Sequence, residues 1–165
     1  MSDLLIVTSY RWSAIASTKW ASTSRQMALT SSNLTIIPYI PFTASPRFYK
    51  PEELQAFRET LMEEIRKHSP KALLVFGDHA FAALTGHYGG KRSIKYMRGF
   101  CLPSYAGVPC VGTFDLETFS KSEGRIFPQQ SKLMGLIMSD ISSALSVSQG
   151  RISPCLDPST EVRVH

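Results

Sequence analysis

Apolar positions along this chain come in two kinds of block. Short apolar runs bounded by polar or turn residues, DLLIVTS (3–9), NLTIIPYI (33–40), KALLVF (71–76) and VPCVGTF (108–114), predict buried β-strands. Longer stretches carry the helical period. In 52–68, Leu54, Phe57, Leu61 and Ile65 fall on one face, Pro51 suits the first helical position, and Glu52 and Glu53 suit the positive end of the dipole. Pro70 stops that helix. In 129–146, Leu133, Leu136, Ile137, Ile141 and Leu145 are expected to point inward. GDHAFAALTG (77–86) reads as a turn from a strand straight into a short helix closed by Gly86. A further helix is expected around 22–31, after a Ser/Thr-rich stretch that holds Trp12 and Trp20.

Strands alternating with helices predict an α/β fold, a parallel sheet covered on both faces. In such sheets ligands bind beyond the carboxyl ends of the strands, here the loops after Val7, Ile40, Phe76 and Phe114. The pattern predicts one domain over residues 1–148. The segment 149–165, with Pro154 and Pro158, reads as a flexible C-terminal tail.

Charge changes this picture by its distribution more than by its sum of +5. No acidic residue lies between Asp3 and Glu52, while Arg11, Lys19, Arg25, Arg47 and Lys50 fall there. A second acid-free stretch, HYGGKRSIKYMRG, carries Lys91, Arg92, Lys95 and Arg98 with Tyr88 and Tyr96 among them. Basic groups interleaved with aromatics suit a phosphate backbone and unstacked bases. Arg11, Lys19, Arg25, Lys91, Arg92, Lys95 and Arg98 are therefore the candidate DNA-binding residues. Cys101, Cys110 and Cys155 are odd in number and lack CxxC spacing, which argues for a reducing compartment and against a zinc or iron–sulfur site. No apolar run is long enough to span a membrane and MSDLLIV lacks the features of an export signal, so the expected location is cytoplasmic. No metal or cofactor is expected.

Three motifs are candidates for chemistry. In GTFDLETF (112–119), Asp115 and Glu117 resemble the acidic pair that opens two-metal exonuclease sites, since residues two apart on a strand share a face. That fold needs a long continuation and further acids; the stretch from Glu117 to His165 is too short for it, and Asp140 within the last helix reads as a surface or capping charge. The glycine turn at 77–79 presents helix N–H groups that suit an anion, but it has neither GxxxxGK[ST] nor GxGxxG. There His79 is a candidate base, or a residue that caps and packs. No GxSxG appears, and His68, His87 and His165 have no evident acidic partner for a hydrolase triad.

From residue 50 onward the order P-E-E-L…L-x-x-x-I…S-P-K-A-L-L-V-F-G-D-H-A…L-T-G…I-K-Y-M-R-G-F…G-V-P-C-V-G-T-F-D…S-D-I-S-S-A-L resembles the uracil-DNA glycosylase superfamily, particularly its compact bacterial and phage branches. The resemblance covers residues 50–146. It implies a three-layer α/β/α sandwich with a four-stranded parallel sheet and a DNA-binding groove across the strand ends. It also marks departures. Where the superfamily carries an acid or Asn that activates water, this chain has Thr8-Ser9-Tyr10-Arg11-Trp12; where an Asn reads the pyrimidine, it has Ile37-Pro38-Tyr39. Asp115-Leu116 replaces the His-Pro that stabilises the departing base, and a carboxylate there repels a developing anion.

The expectation is thus a glycosylase-like scaffold without the excision chemistry. It would bind DNA, a DNA polymerase or another replication protein, as members of the superfamily in DNA viruses and phages do. Two alternatives stand beside it: an active glycosylase with relocated residues, Asp115 or His79 orienting the water, and a module that binds protein alone.

Overall fold

The computed structural model of the protein describes residues 4–8, 12–29, 34–37, 51–87, 91, 93–116 and 128–150. Each apolar run becomes a strand: β1 (Leu4–Thr8), β2 (Leu34–Ile37), β3 (Ala72–Phe76) and, after a two-residue β4 (Cys101–Leu102), β5 (Cys110–Thr113). The helices between and after them are α1 (Ala14–Gln26), α2 (Pro51–His68), α3 (Asp78–Thr85), α4 (Ile94–Met97) and α5 (Pro128–Ser148). The strand order is β2-β1-β3-β5-β4. β1 pairs in parallel with both β2 and β3, and β3 in parallel with β5.

The expected sheet of four parallel strands gains a fifth. β4 runs antiparallel to β5 at the edge, with Cys101 opposite Val111 and Leu102 opposite Cys110. Two residues carry no period, so the hydrophobic pattern could not announce this strand. The fold is mixed α/β, with a mostly parallel sheet.

Side chains of the parallel strands alternate between two buried faces. One cluster joins Leu5, Val7, Leu73, Val75 and Cys110 to Leu61 and Ile65 of α2, Phe81 and Leu84 of α3, and Ile94 and Met97 of α4. The other joins Leu4, Ile6, Leu74, Phe76 and Val111 to Ala16 of α1 and Ile137, Ile141, Ala144 and Val147 of α5. Helices therefore cover both faces. Burying each such side chain contributes roughly 1.5–3 kcal/mol relative to exposure.

Two helices differ from their sequence patterns. α1 begins much earlier than residue 22, because Ser13 caps it by accepting from the Ala16 N–H at 3.3 Å. Its hydroxyls do not disrupt it: Thr18, Thr23 and Ser24 donate to the carbonyls four residues back at 2.7–2.8 Å. It stops short of residue 31, since Ala28 takes φ 55° and the Leu29 N–H turns back to the Ser24 carbonyl at 2.9 Å. In α5, Ile137, Asp140, Ile141 and Ala144 form the buried stripe, and Leu136, expected inside, is 40% exposed. Leu61 and Ile65 of α2 are buried as expected; the side chains of Leu54 and Phe57 lie outside the described residues, as does the tail beyond Gly150.

Gly112 on β5 has a specific reason to be glycine. A Cβ there would come within 2.6 Å of both Phe81 and Ile94. Chemical denaturation of Gly112→Ala is expected to show a loss of about 1–3 kcal/mol from overpacking. Gly135→Ala in α5 meets nothing within 4 Å and is expected to raise stability by about 1 kcal/mol through helix propensity.

Candidate functional site: the carboxyl edge of the sheet

The chain leaves β1 toward β2 on one side and returns across it to β3 on the other. The crevice between the carboxyl ends of β1 and β3 is therefore the point where the strand order reverses, the usual ligand position in open α/β sheets. Thr8 ends β1 and is buried. Phe76 ends β3, and the edges of two tryptophan rings pack against it: Trp12 at 5.4 Å and Trp20 at 6.0 Å between centroids. The tryptophans lie 5.7 Å from each other. Both are partly buried and pack against the apolar cluster on that face of the sheet.

Beyond β3, the Gly77–Asp78 turn opens α3, with the Gly77 N–H bound to the Thr113 carbonyl at 3.0 Å. Asp78 is not aimed at a ligand. Its Oδ1 accepts from the Ile94 N–H at 2.9 Å and so caps α4, whose own cap residue Ser93 makes no side-chain cap bond. Of the N–H groups at the turn expected to seat an anion, that of Gly77 is bonded to the Thr113 carbonyl. His79 is buried in the first turn of α3 and is engaged within the fold.

α4 delivers the chain to Arg98, which turns inward. Its Nε and Nη2 donate to the two oxygens of Asp140 at 3.0 and 3.1 Å, and Thr113 Oγ1 donates to the same carboxylate at 2.7 Å. The Asp140 side chain is 1% exposed and that of Arg98 13%. This corrects two expectations. Asp140 is not a surface or capping charge but the buried acceptor that joins α5 to β5 and to the end of α4. Arg98 is not an outward phosphate contact; its fork is committed to a carboxylate. Gly99 follows at φ 81° and donates to the Gly112 carbonyl at 3.1 Å, which swings the chain into β4. The Arg-Gly pair thus combines a clasp with a turn that favours glycine.

β5 ends at Thr113, so Asp115 lies past the strand in an irregular segment. Strand alternation does not govern Asp115 and Glu117, which removes the geometric basis for a shared cation; Glu117 itself lies outside the described residues. Among the described residues no group of three or more acidic, histidine or cysteine side chains could hold a metal. Asp115 is half-buried, and its Oδ2 is shielded from solvent. The two described cysteines, Cys101 and Cys110, are buried on opposite faces of the sheet, and burial pushes the Cys110 thiol up, away from thiolate chemistry.

The candidate basic residues do not form one patch. Lys91 is exposed, and Lys95 and Tyr96 are exposed on α4 at the carboxyl edge. Lys19 and Arg25 lie on α1, which packs against the opposite face, and Arg25 sits in its last turn, a helix length from the edge where α1 begins. Arg11 and Arg92 lie outside the described residues. Sequence reasoning missed Asp78 and Asp140 as partners of the basic segment. A signal was present in retrospect: Asp140 interrupts an otherwise apolar stripe on α5, and an interrupted stripe calls for a buried partner.

Among the described residues no helix is long and apolar enough to cross a membrane. No protein-family model matches the chain, and no curated protein matches it in sequence.

The Arg98–Asp140 clasp generates a stability prediction. Asp140→Ala leaves a buried guanidinium and a buried hydroxyl without their acceptor and is expected to cost about 3–5 kcal/mol in denaturant unfolding. Arg98→Met combined with Asp140→Leu is expected to be markedly more stable than either single variant, the sign of a coupled pair. Single losses that simply add would show that the two side chains act independently.

Proposed function

We propose that the chain is a uracil-DNA glycosylase-like domain, with that superfamily's three-layer arrangement, that binds DNA without excising bases and serves a replication protein, a DNA polymerase first of all, as an accessory. The observation that carries this reading is the chemistry gathered at the carboxyl edge. Lys95 is exposed there, with exposed Lys91 shortly before α4, while Asp115 stands just past β5 with one oxygen shielded from water. Glycosidic bond cleavage needs a positioned water and a donor for the departing base anion, each typically contributing several kcal/mol to the transition state. A fixed carboxylate beside the leaving group acts in the opposite sense. The polymerase role rests on the ordered resemblance of residues 50–146.

The inward turn of Arg98 narrows the phosphate-binding set at this edge to Lys91 and Lys95 among the described residues. These cations would release counterions on neutralising phosphates, so affinity would depend on salt.

Two measurements test the reading. Fluorescence anisotropy with a labelled DNA oligonucleotide is expected to show affinity falling steeply between low and physiological salt, and Lys91→Ala with Lys95→Ala to weaken binding of all sequences alike and flatten that slope by roughly one counterion per lost contact. A uracil-release assay on single- and double-stranded substrates is expected to be negative, both for the unaltered protein and for Asp115→His. Uracil release lost on Asp115→Ala or His79→Ala would establish the enzyme reading instead. Absence of DNA binding even at low salt would leave a protein-only module.

A further inference from the structure

α4 is only one turn long, yet it is tied at both ends. At its start the Asp78 carboxylate accepts the Ile94 N–H at 2.9 Å; at its end Arg98 is forked onto Asp140 at 3.0 and 3.1 Å. Ile94 and Met97 sink into the core beneath it. The two residues between them face the other way. Tyr96 is 54% exposed, among the most exposed of the large apolar side chains described, and the Lys95 ammonium lies 5.6 Å from the centre of its ring. A short helix is marginal by itself. Here two carboxylates and two buried side chains hold it as a rigid pedestal under one aromatic ring and one cation.

The charge of the chain on either side of that ring is one-sided. Between Asp78 and Asp115 the sequence has no acidic residue, and Lys91, Arg92, Lys95 and Arg98 all fall in that interval. Asp78, the nearest acid before it, is occupied with its capping bond. An exposed aromatic on a fixed support, with a lysine beside it in a basic segment of the chain, suits a ligand that pairs a flat π-face with a phosphate. Duplex DNA hides its base faces in the stack; a single strand offers them.

We propose that Tyr96 is a stacking platform for a base of single-stranded DNA, with Lys91 and Lys95 taking the adjoining phosphates. The proposal rests on the DNA-binding reading above and adds strand form to it. It requires no movement of the pedestal, since Tyr96 is already presented outward. Stacking on an aromatic is tolerant of sequence because every base has a π-face, so no base preference is expected from this contact.

The test compares three labelled ligands of equal length at low salt by fluorescence anisotropy: a thymidine DNA single strand, a uridine RNA single strand and a DNA duplex. The unaltered protein is expected to bind the DNA single strand more tightly than the duplex. Tyr96→Ala is expected to weaken single-strand binding by about tenfold or more, the range seen for loss of one stacked base, with duplex binding and the thermal melt unchanged. Tyr96→Phe keeps the ring and is expected to bind as the unaltered protein does. Lys91→Ala with Lys95→Ala is expected to weaken single strand and duplex together. Equal single-strand affinity for Tyr96→Ala and the unaltered protein, alongside a loss in the lysine variant, would overturn the platform and leave the DNA-binding reading standing. Binding of the RNA strand alone, or of none of the three, would overturn both.

Discussion

The carboxylate of Asp140 is the constraint on which the edge of this fold depends. A buried ion costs several kcal/mol of desolvation unless its lone pairs are met, and here three hydrogen bonds meet them, two from Arg98 and one from Thr113. The three residues come from three separate parts of the chain: the end of α4, the last position of β5 and the middle of α5. α4 packs on one face of the sheet and α5 on the other, so the clasp reaches around the sheet edge and fixes the two helical layers to each other. The two-residue β4 has little ladder of its own. It keeps its place because Arg98 and Gly99 hold its entry and the turn into β5 holds its exit.

Acids and bases in the region are sorted by this arrangement. Asp78 and Asp140, on either side of the basic stretch in space, both work inward: one caps α4 and the other receives Arg98. The cations that remain among the described residues, Lys91 and Lys95, face solvent. A chain of modest net charge thereby acquires a locally basic edge without an unusual number of basic residues. Asp115 is the exception, a half-buried acid just past β5.

The first acid-free region turns out differently from the second. Its tryptophans pack on Phe76, and its described cations, Lys19 and Arg25, lie along a helix on the far face. In sequence the two regions look alike, each a mixture of basic and aromatic residues. In the fold the two tryptophans of the first pack against the core, and the second includes an outward ring. Composition cannot separate these cases, because the same side chain is equally at home under a sheet or over a base until its neighbours are known.

The parallel strands, the long helices and the position of the carboxyl edge were determined by the sequence alone, because apolar runs of strand length and stripes of helical period leave few other ways to bury their surface. The extent of α1 was less legible, since the hydroxyls of Thr18, Thr23 and Ser24 look like breakers until they bond back to their own helix. Leu136 was misplaced for a related reason: the stripe that packs against the sheet keeps Ile137 as expected but turns Asp140 inward and leaves Leu136 out. β4, the clasp and the orientation of Arg98 were decided only by tertiary structure. Each depends on residues far apart in the chain meeting at one edge, Arg98 with Asp140 above all, and no local pattern records which charge a buried carboxylate will find.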